Sequence, residues 1–285
     1  MILRVFSYII LSVVLLLSSC IEERQEIFLS DVFSYTYAPG QHASGALSTD
    51  IRFIKGNPAL HNGWLFLGGF GGNVVAGFPA NVTNHEGEDF EVFALKGAGP
   101  EPAIVYVMQD KNNNGQPDDQ WYELKGNQFE NTDRDYQLTY YKPASANGNI
   151  SWKDNRGGKG ELMPGFGASN SSSWWWTETH GDSIVFSGSK LPDAYEKKLV
   201  GDVEIWQVPN NKFLWGYAEN QYGTDYDSET GINKFDISNA VDDNGNAVSL
   251  PHIRFVKIQS AVFQQAGMIN EVSSEIRGAR VIQKE

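Results

Sequence analysis

The chain has 285 residues, 41% of them hydrophobic, and sets 35 acidic side chains against 22 basic ones, a formal net charge of −13. A surface this acidic, without a basic stripe, repels nucleic acid, which is excluded as a partner. A single cysteine excludes any intrachain disulfide. The N-terminus opens Met1-Ile2-Leu3-Arg4, runs through an apolar stretch from Val5 to Leu17 and closes on Leu17-Ser18-Ser19-Cys20. One positive charge, an apolar run and then small residues is the layout of a secretory signal. The run falls short of the about 20 residues that a membrane-spanning helix needs.

Leu17-Ser18-Ser19-Cys20 resembles the bacterial lipobox. The resemblance implies cleavage after residue 19, with Cys20 as the first mature residue and the lipid attachment point. Several acyl chains on one residue anchor stably, since each buried CH₂ contributes about 0.8 kcal/mol. Glu22-Glu23 resembles the acidic pair that follows the cysteine in surface-exported lipoproteins of Bacteroidota, which implies an outer-membrane, cell-surface location. A solvated linker is the other reading of that pair. The expected organisation is a signal peptide over 1–19, a lipidated tether over 20–35 and one elaborated domain over 36–285, long enough for a substantial core.

Beyond the tether, short β-rich segments alternate with Gly, Asn, Asp and Pro clusters, the signature of a sandwich or barrel. Strands are expected at Trp64–Leu67, Asn73–Phe78 and Phe90–Phe93. Ala103–Met108 is apolar on both faces and is expected to be a central strand. Tyr136–Tyr140 alternates, which puts Tyr136, Leu138 and Tyr140 on one face. Further strands are expected at Ile184–Phe186, Val203–Trp206, Phe213–Trp215, Phe255–Gln259 and Ala279–Ile282, with one helical candidate over Asp193–Leu199. Asn-Gly pairs at Asn62-Gly63, Asn114-Gly115, Asn147-Gly148 and Asn244-Gly245 are strong hairpin signals, because both residues tolerate positive φ.

The run from Glu101 to Phe129, with a strand at Val105-Tyr106-Val107 and a new one opening at Trp121-Tyr122-Glu123-Leu124, resembles a discoidin-like (galactose-binding-like) jelly roll. Ile253–Ile258 resembles the penultimate strand of such sandwiches. The expected fold is therefore all-β, an antiparallel β-sandwich of jelly-roll type. Glu-Pro-x-Ile-Val at Glu101 and Asp-x-Asn-x-Asn-Gly-x-Pro-Asp-Asp at Asp110 also resemble segments of uncharacterised cell-surface lipoproteins.

Asp110-Lys111-Asn112-Asn113-Asn114-Gly115-Gln116-Pro117-Asp118-Asp119 carries the sharpest chemistry. Oxygen-bearing side chains at its first, third and fifth positions followed by glycine match the first half of an EF-hand calcium loop. The Gln116 carbonyl, Asp118 and Asp119 are candidates to complete an all-oxygen set for structural calcium. Trp121 stands where that loop type has its closing glutamate, so a plain hairpin turn is the competing reading. Asp225-Tyr226-Asp227 with Glu229 is a second acidic stretch, an ion site or a solvated loop, and Asp242–Asn246 is expected to be a turn.

Trp174-Trp175-Trp176 is the second candidate. In a strand successive side chains alternate faces, so at least one of these indoles points away from the core or into a cleft. Exposed Trp offers a flat platform to sugar rings; packing under a loop is the alternative. Trp152, Tyr217 and Tyr222 are candidates to extend such a surface. No zinc-protease pair, nucleophile elbow or phosphate loop occurs, and the five histidines have no ligand spacing. The expected function is non-catalytic capture of an extracellular ligand for nutrient uptake, with an outer-membrane transporter as partner. Carbohydrate is favoured, since sandwich folds with exposed Trp resemble carbohydrate-binding modules. A corrinoid (vitamin B12)-binding accessory role and a glycan hydrolase using an Asp/Glu pair are the alternatives.

Overall fold

In the computed structural model residues 25–40, 49–97, 99–145, 148–163, 180–267 and 271–284 are described. Cys20 and Trp174, Trp175 and Trp176 lie outside them. The described chain is all-β, with helical structure limited to short 3-10 turns such as Ile51–Ile54. Its strands are β1 (Asp31–Thr36), β2 (Leu65–Phe66), β3 (Asn73–Thr83), β4 (Phe90–Ala94), β5 (Ala103–Met108), β6 (Trp121–Leu124), β7 (Asp133–Tyr141), β8 (Ile150–Asp154), β9 (Lys159–Leu162), β10 (Ser183–Lys190), β11 (Glu196–Val200), β12 (Val203–Gln207), β13 (Tyr226–Asp227), β14 (Ile232–Phe235), β15 (Ala240–Val241), β16 (His252–Ser260) and β17 (Glu275–Val281).

Two antiparallel sheets form the sandwich. One has the order β1-β3-β16-β5-β6-β15, the other β13-β14-β4-β17-β2. Alternation decides which side chains meet between them. Val74, Ala76, Val105, Val107, Tyr122, Leu124, Val256 and Ile258 of the first sheet pack on Phe90, Val92, Phe235, Ile276 and Ala279 of the second, forming the main core. The fully buried run Ala103–Met108 is a central strand, as its two apolar faces require. Its odd-numbered residues enter this core, and Ile104 and Tyr106 face the other way.

That outward face of the six-stranded sheet is covered in turn. A four-stranded sheet, β10-β7-β8-β9, packs Tyr136, Leu138, Tyr140 and Phe186 around Phe70. Tyr140 is fully buried and its hydroxyl donates to the Phe70 carbonyl at 3.1 Å. The segment from Leu191 to Tyr217 closes over Ile104 and Tyr106.

Two local expectations are revised. The helical candidate Asp193–Leu199 is overturned, for Glu196–Val200 is a strand paired with Val203–Gln207 across a turn at Gly201, whose φ of +63° reverses the chain. Hairpin closure there outweighs a short stretch of helical propensity. Phe213–Trp215 is irregular rather than a strand; Phe213 is buried and the backbone is tied to Asn127. The span 20–35 is expected as tether running into a first strand, and that first strand is Asp31–Thr36, which pairs with β3 as part of the six-stranded sheet.

Candidate functional site

Register assembles the best-formed pocket. β16 pairs with β5 so that Lys257 lies opposite Tyr106, and β5 pairs with β6 so that Tyr106 lies opposite Glu123. Because side chains alternate, all three point to the outward face as one cross-strand row, with Trp121 two residues from Glu123 on the same side. β10 and β7 supply the opposite wall, through Ser187, Gly188, Ser189 and Gln137. The cavity holds about 300 Å³, and Asp135, Asp242 and Asp243 also line it. That is the small end of the range for ligand pockets.

Each wall has a structural reason. The Ser189 N–H donates to the Tyr106 hydroxyl at 3.2 Å, and the Ser189 hydroxyl donates to Glu123 in a short bond. Gln259 donates to the Ser187 carbonyl at 3.0 Å. Gly188 sits so close that a Cβ there would lie 2.7 Å from the Gln259 Oε1, so a larger residue would have to displace that amide. The Arg134 guanidinium lies 4.8 Å above the Phe129 ring, and its Nη1 is buried with no hydrogen-bond partner.

The charges respond to burial. The Lys257 ammonium stands 3.9 Å from the Tyr106 ring centre and 5.9 Å from that of Trp121. Among the described residues it has neither a hydrogen-bond acceptor nor an ion-pair partner. Loss of water pushes its pKa down to about 8, against the pull of the Glu123 carboxylate. Burial raises the Glu123 carboxyl, while the Ser189 hydroxyl, Arg134 and Lys257 hold it back. Perturbed groups converging on a concave surface mark a functional-site candidate.

A second cleft of about 440 Å³, more open than the first, is lined by Trp152, Tyr195, Trp206, Phe263 and the amides of Gln264 and Gln265. Trp152 meets Phe263 edge to face at 4.9 Å. Both amides are already engaged, Gln264 with the Tyr195 backbone and Gln265 with the Met163 backbone. Of the aromatics expected to extend a binding surface, Trp152 therefore lines a cleft. Tyr217 is buried and accepts from the Gln128 N–H, and Tyr222 is exposed.

The Asp110 loop brings its candidate ligands together. Asp110 accepts the Asn114 and Gly115 N–H groups at 3.0 Å each. The Asn112 and Asn114 amides donate to Asp118 at 3.1 and 2.9 Å, which lowers the Asp118 pKa. The Gln116 N–H donates to the Asn114 side-chain oxygen, and Asp119 accepts from the Lys111 N–H. Gly115 has a φ of +71°, so the bend needs its glycine. Among the described residues no three histidine or acidic groups converge as metal ligands. An ion here depends on the amide oxygens as much as on Asp110 and Asp118. The donor set is all-oxygen, the kind a hard cation takes. Asp225 is half-buried and accepts the Gly216 N–H at 2.8 Å, a structural tie, and Asp227 caps the turn at Glu229. Asp242 accepts the Asn244 and Asn246 N–H groups, closing the expected turn.

One further feature has no sequence signal. Glu101, Glu219, Glu271 and Glu275 are all buried, brought together from distant segments. Glu101 accepts the Ser273 N–H at 3.0 Å and Glu219 the Glu275 N–H at 2.6 Å. Burial and then the neighbouring carboxyls push Glu101 and Glu219 far above the usual carboxylate range, and burial brings Glu275 up to about 7. Glu219 adopts a φ of +54°, a strained conformation for a side chain with a Cβ.

No protein-family model matches the chain, and no curated protein matches it. The geometry of its own residues is what carries a functional reading.

Proposed function

We propose that this is a non-catalytic surface lipoprotein, held by lipid at Cys20 in the outer membrane, that captures an extracellular carbohydrate for uptake through a membrane transporter. The observation that carries the reading is the pocket over β16, β5 and β6. An aromatic floor of Tyr106 and Trp121 lies beside polar groups whose hydrogen-bonding capacity is not used up internally, the arrangement that suits a ring with an apolar face and hydroxyls at its edge. The open cleft at Trp152 and Trp206 gives a longer glycan a second aromatic surface, and Trp174, Trp175 and Trp176 remain candidates for contact. Calcium at Asp110, Asn112, Asn114, Gln116, Asp118 and Asp119 is the proposed brace of the neighbouring loop.

Titration of the mature chain with a panel of mono- and oligosaccharides, read by tryptophan fluorescence and calorimetry, tests the proposal. Saturable binding that Trp121→Ala weakens supports it. Binding of cobalamin with silence toward every sugar replaces it with the corrinoid reading. Turnover of a glycan, lost in Glu123→Gln, replaces it with a hydrolase, for which the raised Glu123 carboxyl is the candidate acid.

A further inference from the structure

We propose that the pocket over β16, β5 and β6 selects a sugar acid bearing a single carboxylate, which Lys257 receives while Trp121 and Tyr106 support the ring. This rests on the carbohydrate reading above and narrows it to an ionic class.

Three observations converge. The first is the unmet demand of Lys257. Its ammonium faces the pocket against the Tyr106 ring, and no described residue offers it an acceptor or a counter-charge within ion-pair distance. The Glu123 carboxylate, its nearest formal partner by register, is instead bound by the Ser189 hydroxyl. A cation–π contact leaves all three N–H donors free to point elsewhere. A carboxylate arriving at this point gains charge-assisted hydrogen bonds in a site already largely shielded from water.

The second is Arg134. Its guanidinium lines the same pocket, stacked on Phe129, with Nη1 buried and unpartnered. Two half-buried cations therefore line one pocket of a protein whose net charge is −13. The third is where the acids stand. Asp135 and Asp243 are exposed lining residues, and the Asp242 carboxylate is spent on its own turn. Exposed negative charge, with two cations deeper in and the one inner acid, Glu123, tied to the Ser189 hydroxyl, admits one anionic group at the leading end of a ligand and opposes a chain of them. A polyuronate or sulfated polymer is disfavoured on that ground. The cavity, at about 300 Å³, suits a sugar unit rather than a polymer segment.

The test is calorimetric titration of the full mature protein with glucuronate and galacturonate, their neutral parents glucose and galactose, acetate, and polygalacturonate. The acids are expected to bind about tenfold or more tightly than their neutral parents, the range of one charge-assisted hydrogen-bonded contact. Lys257→Gln is expected to bring acid and parent to equal affinity, and Lys257→Arg to retain part of the preference. Equal affinity for acid and parent in the wild-type protein overturns this inference and leaves carbohydrate capture standing. Acetate binding as tightly as glucuronate overturns the role of the sugar ring, and polygalacturonate binding more tightly than the monomer overturns the single-charge selectivity. Silence toward every sugar removes both readings. Because the ligand comparison is made on the wild-type chain, a folding defect in the variants does not shield the inference.

Discussion

The buried carboxyl cluster dictates an unusual dependence of stability on pH. Glu275 ionises near its ordinary 4.5 in the unfolded chain and at about 7 when folded. Below pH 4.5 it carries its proton in both states and contributes nothing to the slope. Between 4.5 and 7 the unfolded chain gives up that proton while the folded chain keeps it, so stability falls as pH rises. The loss is complete once the folded carboxyl has ionised too, and the gap corresponds to about 3 kcal/mol. Glu101 and Glu219, raised in the same direction by burial and the neighbouring carboxyls, add to the decline. His61 and His180, both held below their ordinary value by burial, act oppositely under pH 6.5, so the wild-type profile is a sum. The difference between wild type and Glu275→Gln isolates the effect, because glutamine keeps the shape and loses the titration. Urea denaturation at pH 5, 6, 7 and 8 is expected to show the variant gaining on the wild type by about 3 kcal/mol across that range. A constant difference between the two proteins at all four values would refute the assignment of the proton to this site.

Lys257→Met should stabilise the fold by about 1–3 kcal/mol at neutral pH, since an unpaired, largely buried ammonium is replaced by an apolar chain of similar length. The wild type should recover part of that difference as pH climbs from about 8 through 10.5, where the folded lysine is already neutral and the unfolded one is not; a less stable variant at pH 7 counts against the geometry. Gly188→Ala should cost about 1–3 kcal/mol in chemical denaturation, because its Cβ displaces the Gln259 amide that ties β16 to β10. Calcium should raise the melting temperature of the wild type and leave Asp110→Ala unmoved. Asp110→Ala should also lose about 1 kcal/mol without the ion, from the two N–H groups Asp110 accepts, and an identical calcium response in both proteins would rule the loop out as the site.

The strands were legible wherever period and burial agreed. Ala103–Met108 announced a central strand by being apolar on both faces, and Tyr136, Leu138 and Tyr140 announced one buried face by alternation. The turn at Asp110 was legible because Asp110, Asn112, Asn114 and Asp118 are close in sequence, and spacing alone brings their side chains together. The pocket was not. Lys257, Tyr106 and Glu123 each looked like an ordinary strand position, and only the pairing of β16 with β5 and of β5 with β6 sets them in one row. The carboxyl cluster was invisible for the same reason: nothing local relates Glu101 to Glu219 or Glu275. Asp193–Leu199 misled because a short charged stretch has weak preferences, and its outcome was decided by the turn at Gly201.

The molecule buries charge in two places under opposite rules, and the contrast separates structure from function. At Glu101, Glu219 and Glu275 the fold holds carboxyls together, with two backbone N–H groups donated by Ser273 and Glu275, and burial favours the neutral form of each. Such a cluster costs stability only when pH strips the proton. Lys257 is different. Its pKa of about 8 leaves it mostly protonated at neutral pH, and the charge is met only by the Tyr106 ring and, without a direct ion pair, by the Glu123 carboxylate. Retaining a half-buried cation without a direct ion pair is a standing cost that an apolar residue would avoid. On the proposed reading, a residue that burdens the folded chain and faces an open cavity is explained by what enters the cavity. On that ground the two cations of the pocket, rather than the more numerous buried acids, are where ligand recognition is to be sought.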